Sequence, residues 1–164
     1  MSCKTGVSWL YRLESNHRWG SPYTVPFDMA FRDSTGKVWM LIETTGTITI
    51  MNGYAWNGCS PKFCLFDILL GTPDGVVHRE TGKPKTYFAS LVHDALYQFL
   101  TDGLPLNRRH ADAIFLQLLR ESDFTPARIY WLAVRLFGWL VRHGTAMKRQ
   151  WHGNRLHIDE LISG

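Results

Sequence analysis

The sequence is poor in cysteine and has no long apolar run, and each shortage argues against a class of protein. The three cysteines (Cys3, Cys59 and Cys64) are few and odd in number, which argues against a secreted disulfide scaffold and favours a reducing compartment. No stretch reaches the roughly 18–20 apolar residues needed to span a bilayer. The nearest, residues 129–141, is shorter and contains Arg135. The N-terminus lacks the apolar core and cleavage site of a signal peptide, so we expect no secretion by that route.

Common motifs of nucleotide, cofactor and hydrolase sites are also missing. There is no P-loop, no GxGxxG, no GxSxG nucleophile elbow and no HExxH. The net charge of +4 fits an anionic partner such as lipid, nucleic acid or cell wall. The lysines and arginines are scattered and form no single stripe, which argues against a nucleic-acid interface. Seven tryptophans indicate a core or a binding surface built from large flat side chains.

Length and composition predict one domain. With 164 residues, 45% of them hydrophobic, the chain can bury a core of its own. We expect a β-rich portion over residues 1–62, a helical portion over residues 86–143 and a tail over residues 144–164.

The β-rich portion is predicted from side-chain alternation and turn chemistry. Residues 29–32 and 38–42 include β-branched and aromatic side chains and flank a polar turn at 33–36, as in a hairpin. Residues 47–50 alternate polar and apolar with period two, which is typical of a half-buried strand. Residues 63–70 are continuously apolar but for Asp67, and we expect a short helix or buried turn there.

The helical portion is predicted from apolar spacing. Residues 88–100 and 111–119 carry apolar side chains three and four apart, on one face of each helix. The turn at 102–105 contains Gly and Pro, and Asn107 is a suitable N-cap for the second helix. A short connection makes the two helices an antiparallel hairpin. The predicted class is α+β, with a small N-terminal antiparallel sheet and a three-helix C-terminal part.

The third helix follows Thr125 and Pro126, an N-cap and a proline at the first helical position, and ends near His143 before Gly144. Residues 129–141 are apolar on more than one side of this helix. This pattern predicts burial by several neighbours, and it also allows a helix that binds a partner or lies on a membrane surface.

Three side chains of the helical hairpin suggest hydrolytic chemistry. His93 and Tyr97 are four residues apart on the first helix, and Asp112 lies near the start of the second. A histidine acts as a general base on water when a carboxylate fixes its tautomer and stabilises the imidazolium. Tyr97 can donate to Asp112 and hold it in place. We therefore predict His93 and Asp112 as a catalytic dyad, with Tyr97 in support.

Other residues are candidates for a cation and a substrate. Asp94, next to His93, is a candidate ligand for a hard cation such as Ca²⁺, together with Asn57 and Gly58 in an irregular loop whose carbonyl oxygens can coordinate it. Arg109 and Trp56 are candidates for contact with the substrate.

Simpler interpretations stay open for the same residues. His93 can be a partly buried histidine that donates to a carbonyl, Asp94 a solvated residue, and Tyr97 a core residue with a satisfied hydroxyl. Asp112 can simply complement the helix dipole. Arg108 and Arg109 are expected to be solvated, with a pairing to Asp94 or to a substrate phosphate as the alternative. The remaining histidines show no ligand spacing and are expected at the surface; they are His17, His78, His110, His143, His152 and His157.

The helical hairpin resembles the core of phospholipase A₂ enzymes, most closely the compact cysteine-free versions of parvovirus capsid proteins. The shared motifs run over residues 82–119 and are Gly82-Lys83-Pro84, His93-Asp94 with Tyr97, Gly103-Leu104-Pro105, and Ala111-Asp112 with Phe115. The resemblance implies that His93 is the base, Asp94 a calcium ligand, and Tyr97 and Asp112 the supporting pair. The glycine spacing of the phospholipase calcium loop is absent here, and the long segment before the first helix has no counterpart.

A second resemblance extends over more of the chain, to a phage-encoded domain family of unknown function (DUF1353-like). The motifs that carry it lie at residues 57–62, 93–97, 109–115 and 135–138. It implies a phage or prophage origin and a location in the host cytoplasm or on the virion.

Together the motifs lead to two alternative functions. One is a phospholipase-A₂-like hydrolase of a lipid ester or of another envelope or cell-wall ester or amide, with Ca²⁺ as a candidate cofactor. The alternative is a non-catalytic accessory or virion protein that binds a host or particle protein.

Overall fold

The structure is a computed structural model that describes residues 11–33, 35–56, 58, 77–79 and 81–135, together with the backbone of 136–143 and of short strands at 63–65, 68–70 and 158–160. The strands are β1 (Tyr11–Arg12), β2 (His17–Gly20), β3 (Met29–Arg32), β4 (Val38–Ile42), β5 (Thr47–Ile50), β6 (Ala55–Trp56), β7 (Phe63–Leu65), β8 (Ile68–Leu70) and β9 (Ile158–Glu160). The helices are α1 (Tyr87–Phe99), α2 (Arg108–Glu121) and α3 (Ala127–His143). An N-terminal antiparallel sheet region is thus followed by three helices, which confirms the predicted α+β class.

Five strands form an antiparallel sheet in the order β2-β5-β4-β3-β9. Ile48 and Ile50 on β5 are buried, while Thr47 and Thr49, which alternate with them, are only partly buried. This alternation puts one face of the sheet toward the core, because successive side chains of a strand point to opposite faces. The predicted strands at 29–32, 38–42 and 47–50 are confirmed.

The edge strand β9 comes from the predicted tail. It pairs antiparallel with β3, with Ala30 opposite Asp159. The two strands are far apart in sequence, so this pairing rests on a long-range contact that local periodicity does not reveal.

The prediction for residues 63–70 was wrong. Residues 63–65 and 68–70 form the two antiparallel strands β7 and β8, with Cys64 opposite Leu69, instead of the predicted helix or buried turn. A short apolar run has no periodicity that separates a strand from a helix. Here β7 and β8 form backbone hydrogen bonds with each other.

The two helices of the hairpin have different N-terminal caps. At α2, the Asn107 side chain accepts from the backbone N–H of His110, and His110 Nδ1 accepts from the backbone N–H of Asn107, both at 3.2 Å. This reciprocal capping box confirms Asn107 as the N-cap. Gly103 in the connection has φ +85°, a conformation that glycine adopts without steric cost. Thr86, before α1, makes no side-chain capping bond.

The hairpin of α1 and α2 packs on the sheet region, and polar bonds fix its orientation. Phe31 of β3 lies 5.1 Å, centroid to centroid, from Phe99 of α1 within the hydrophobic core. The Tyr54 hydroxyl donates to the Gln98 side chain at 2.8 Å. These contacts join the β-rich and helical portions and set which face of α1 points away from the sheet.

Helix α3 packs on α2 and ends at His143 as predicted. It begins at Ala127, one residue after the predicted start. The side chains of Ile129 and Leu132 are 70% and 50% exposed, whereas Tyr130 is buried. Within the described residues, no helix is both long enough and apolar enough to cross a membrane.

Candidate functional site

The structure brings together His93, Tyr97 and Asp112, the three predicted catalytic residues. His93 Nε2 lies 3.2 Å from Asp112 Oδ1, and the Tyr97 hydroxyl donates to the same oxygen at 2.6 Å. The contact arises because α1 and α2 run antiparallel, which puts the first turns of α2 beside the second half of α1. One carboxylate oxygen therefore accepts from two side chains of the neighbouring helix.

Arg108 is a fourth member of this cluster. Its Nε–H donates to the Tyr97 hydroxyl oxygen at 2.7 Å, and its guanidinium carbon lies 5.7 Å from the Tyr97 ring centroid. The prediction that Arg108 is solvated was wrong, since the side chain is held against α1. A signal was present in the sequence: Arg108 and Asp112 are four residues apart and share one side of α2.

The cluster is largely shielded from solvent. The side chains of His93 and Asp112 are 12% and 4% exposed. The His93 ring lies between Tyr97, 4.2 Å away centroid to centroid, and Phe115, 4.9 Å away. The imidazole is thus held by rings on both helices, and a small part of it stays accessible.

Electrostatics keep the Asp112 carboxylate ionised. Burial by itself would raise its pKa, but the hydrogen bonds from His93 and Tyr97 and the charges of His93 and Arg108 outweigh burial, so the pKa lies below the ordinary value of 3.8. The pKa of Tyr97 is raised, first by burial and then by its bond to Asp112 and the charge there, against a smaller opposing effect of Arg108. Tyr97 therefore keeps its proton and remains a donor.

The ionised carboxylate fixes the tautomer of His93. An ionised Asp only accepts hydrogen bonds, so the ring nitrogen that faces it must carry a hydrogen. In the neutral imidazole, Nε2 is then the N–H and Nδ1 holds the lone pair. Nδ1 is the atom of His93 that can take a proton.

Two of the three predicted cation ligands, Asp94 and Gly58, lie among the described residues. Asp94 is half-buried on α1, and Gly58 is buried with φ +73°. Asn57 lies outside the described residues. No group of three or more His, Cys, Asp or Glu side chains in the described part of the chain could hold a metal ion. Ca²⁺ takes roughly six to eight oxygen ligands, and Asp94 supplies the only carboxylate of the predicted set.

The two predicted substrate-binding residues lie in different environments. Arg109 is exposed at the start of α2, one residue from Arg108. Trp56 is fully buried, and its indole N–H donates to the Ser90 hydroxyl at 3.1 Å. The structure therefore places Trp56 in the core, away from any surface where a substrate could touch it.

A cavity of about 260 Å³ lies at the other end of the hairpin. Ala89 of α1 lines it and stands four residues before His93, so about 6 Å along the helix separates them. His17 and His78, expected at the surface, line this cavity instead. Each has one buried ring nitrogen, and the His17 ring stacks on Phe88 with centroids 4.2 Å apart. Spacing along the sequence could not reveal this, since the two histidines come from separate segments.

Comparison with known proteins gives one match. The family model described as Protein of unknown function (DUF1353) matches residues 76–134, just over a third of the chain. The matched part contains α1, α2 and the start of α3, and therefore His93, Tyr97, Arg108 and Asp112. No curated protein and no solved structure matches this chain. The match agrees with the predicted family resemblance over these residues and brings no activity with it.

Proposed function

We propose that this chain is a phage-encoded hydrolase, similar to phospholipase A₂ in its helical core, in which His93 and Asp112 form a catalytic dyad that activates water. The observation that carries the proposal is the 3.2 Å contact between His93 Nε2 and Asp112 Oδ1. It has the geometry of a base–carboxylate pair, in which the second ring nitrogen stays available for proton transfer.

The proposed reaction needs one base and one water. His93 Nδ1 takes a proton from water while the water oxygen attacks the carbonyl carbon of an ester or amide. The tetrahedral intermediate collapses, and the imidazolium returns the proton to the leaving oxygen or nitrogen. The products are a carboxylic acid and an alcohol or amine, and His93 is again neutral.

The other members of the cluster are positioning residues. Asp112 stabilises the imidazolium and holds the ring in the tautomer that leaves Nδ1 free. Tyr97 holds the Asp112 oxygen, and Arg108 holds the Tyr97 oxygen from its other side. Each donor is thus committed, which keeps the carboxylate fixed while charge develops on His93.

A bound Ca²⁺ would supply Lewis-acid polarisation of the carbonyl oxygen. Of its proposed ligands, Asp94 would supply a carboxylate and Gly58 a carbonyl oxygen, and the proton transfer by His93 does not depend on the ion. The substrate class is a lipid ester or another ester or amide of the host envelope. A net charge of +4 supports contact with an anionic lipid surface.

The test is release of fatty acid from labelled phospholipid, with Ca²⁺ and with chelator. We expect His93→Gln to lower the rate by about 10²-fold or more, because it removes the base. The matched control is His110→Gln on α2, since glutamine at that position preserves the capping box and should leave the rate unchanged. Equal rates for wild type and His93→Gln would end the proposal, and the chelator arm decides the role of calcium.

A second candidate is a non-catalytic accessory or virion protein. The observation that favours it is the pair of exposed apolar side chains on α3, Ile129 at 70% and Leu132 at 50%. Capture of purified phage particles or of a defined host protein by immobilised chain should fall when Ile129 and Leu132 are changed to Glu. The control is Arg128→Gln, an exposed neighbour on the same helix. Equal capture by both variants would contradict a binding role for this face.

A further inference from the structure

The cavity at the start of α1 has walls of two kinds. It lies between β2, the segment before α1 and the C-terminal end of α2, with a volume of about 260 Å³. Phe88 and Trp19 contribute aromatic rings to its lining, and Lys83 and Lys85 are its cationic lining residues. The segment that carries the lysines is held by a backbone bond from His78 N–H to the Lys83 carbonyl at 2.8 Å.

Two buried ring nitrogens at this cavity have no hydrogen-bond partner among the described residues. They are Nε2 of His17 and Nδ1 of His78. A buried polar atom without a partner destabilises the fold, so such an atom indicates a missing water or ligand. Both atoms belong to residues that line one cavity, so a shift of the two rings would let a single occupant of that cavity satisfy them.

The charged groups around the cavity favour an anion. Lys83 Nζ lies 4.6 Å from the Tyr87 ring centroid, and Lys85 Nζ donates to the Asp123 carbonyl at 2.9 Å. Neither lysine forms an ion pair within the described part of the chain.

The one acidic side chain that lines the cavity among the described residues is already engaged. Glu121 accepts from the Trp19 indole at 2.9 Å through Oε2 and from Gln117 at 2.8 Å through Oε1. Its charge therefore faces neutral donors rather than either lysine.

The same groups argue against a cation. Burial and the nearby charge of Lys83 lower the pKa of His17, so its ring is neutral at neutral pH and can bind through hydrogen bonds. A metal ion held by the two histidine nitrogens would be repelled by Lys83. No third His, Cys, Asp or Glu completes a metal-binding group among the residues described.

We propose that this cavity binds a small organic anion, a carboxylate or phosphate group carried on a flat apolar body. Lys83, Lys85 and the free nitrogens of His17 and His78 hold the oxyanion, and the rings of Phe88 and Trp19 pack against the apolar body. The volume lies below the roughly 300–1,000 Å³ of drug-sized sites, so the ligand is a small metabolite or one end of a larger molecule. The site is separate from the proposed hydrolytic cluster, and His93 does not line it.

Calorimetric titration of the full chain with four probes tests this assignment. Benzoate and phenyl phosphate should bind, with shifts in the ring signals of His17 and His78 in NMR spectra. Benzamide, a neutral analogue of benzoate, should bind about tenfold more weakly or worse, because a charged hydrogen bond contributes about 1.5–3 kcal/mol. Inorganic phosphate should bind more weakly than phenyl phosphate. Equal binding of benzamide and benzoate, or no binding of either organic anion, would overturn the proposal.

Variants locate the binding site on the chain. Lys83→Gln should weaken benzoate binding about tenfold, by the same loss of a charged bond. The matched control is Lys37→Gln, which removes another ammonium stacked on a ring, 4.0 Å from the Trp39 centroid and outside the cavity. His93→Gln should leave binding unchanged, so a failed hydrolase assay and a failed binding assay are distinguishable. Unchanged binding by Lys83→Gln would contradict the assigned site.

Discussion

Tyr97 donates its hydroxyl hydrogen to Asp112 at 2.6 Å, which is shorter than the 3.2 Å contact that His93 makes with the same oxygen. Hydrogen bonds from a hydroxyl to an ionised carboxylate are short and among the stronger ones in proteins. Tyr97 is therefore the principal anchor of the buried carboxylate, and His93 completes it. Because Asp112 depends on both bonds, we expect changes at these residues to affect stability and protonation.

Tyr97→Phe should lower the free energy of unfolding by about 1–3 kcal/mol, because it leaves both Asp112 and Arg108 with a bond unmade. Urea denaturation measures this loss. Tyr23→Phe, a half-buried tyrosine whose ring packs on His110, is the matched control and should change stability by less than about 0.5 kcal/mol. A Tyr97→Phe variant as stable as the control would contradict the anchoring role.

Arg108→Gln should couple to Tyr97→Phe in a double-mutant cycle. Because Arg108 Nε–H donates to the Tyr97 hydroxyl, the two losses should be non-additive by about 0.5–3 kcal/mol. The same cycle with Arg109→Gln, the exposed neighbour, should be additive. Additivity for Arg108 would mean that its bond to Tyr97 contributes nothing to stability.

The contribution of Asp112 to stability should be lost in acid. Its folded pKa lies below the ordinary value of 3.8, so its contribution to stability is present above that pH and is lost as pH falls through the folded pKa. Asp112→Asn lacks this contribution. The difference in unfolding free energy between wild type and Asp112→Asn should shrink as pH falls from roughly 5 to roughly 2. A difference independent of pH would show that the carboxylate pKa is not lowered by folding.

The tautomer of His93 is open to direct measurement. Long-range ¹H–¹⁵N NMR correlation should show neutral His93 with its hydrogen on Nε2, because that nitrogen faces the ionised Asp112. In Asp112→Ala the preference should weaken. A hydrogen found on Nδ1 in the wild type would remove the lone pair on which the proposed base depends.

Gly46 and Gly36 share a backbone conformation but differ in the space around them, so alanine substitutions at the two positions can be compared. Both have positive φ, +85° and +86°, but a Cβ on Gly46 would lie 2.5 Å from the Tyr23 carbonyl oxygen, whereas nothing lies within 4 Å of one on Gly36. Gly36→Ala should cost about 1–2 kcal/mol for the left-handed backbone alone. Gly46→Ala should cost more, at least about 3 kcal/mol, because backbone atoms must also move. Equal melting temperatures for the two variants would contradict the close approach.

The elements with regular periodicity were predictable from the sequence, whereas pairings between distant segments were not. The alternation at residues 47–50 and the apolar spacing along α1 and α2 reflect faces that are buried in any packing of those elements. Residues 63–70 lacked either period and were predicted wrongly. The pairing of β9 with β3 joins segments at opposite ends of the chain, and local patterns do not encode such partners.

Part of the candidate site was also predictable. His93, Tyr97 and Asp112 were selected by residue type and helical spacing, and the structure brings them into contact. The bond between Arg108 and Tyr97 was not predicted. Whether a charged side chain at the start of α2 contacts water or protein depends on where the neighbouring helix α1 lies. Trp56 was predicted to contact the substrate, but it lies in the core, because burial of a large apolar ring stabilises the fold.

By itself the sequence determined the helical hairpin, its capped turn and the three strands of the sheet, since these follow from local spacing and turn chemistry. The tertiary structure alone decided which side chains share a hydrogen bond or a cavity. The antiparallel packing of α1 on α2 puts Asp112 beside both His93 and Tyr97. The packing of β2 near the same hairpin brings His17 to the cavity that His78 also lines. Such contacts depend on distances between segments remote in sequence, which are fixed only when the core has formed.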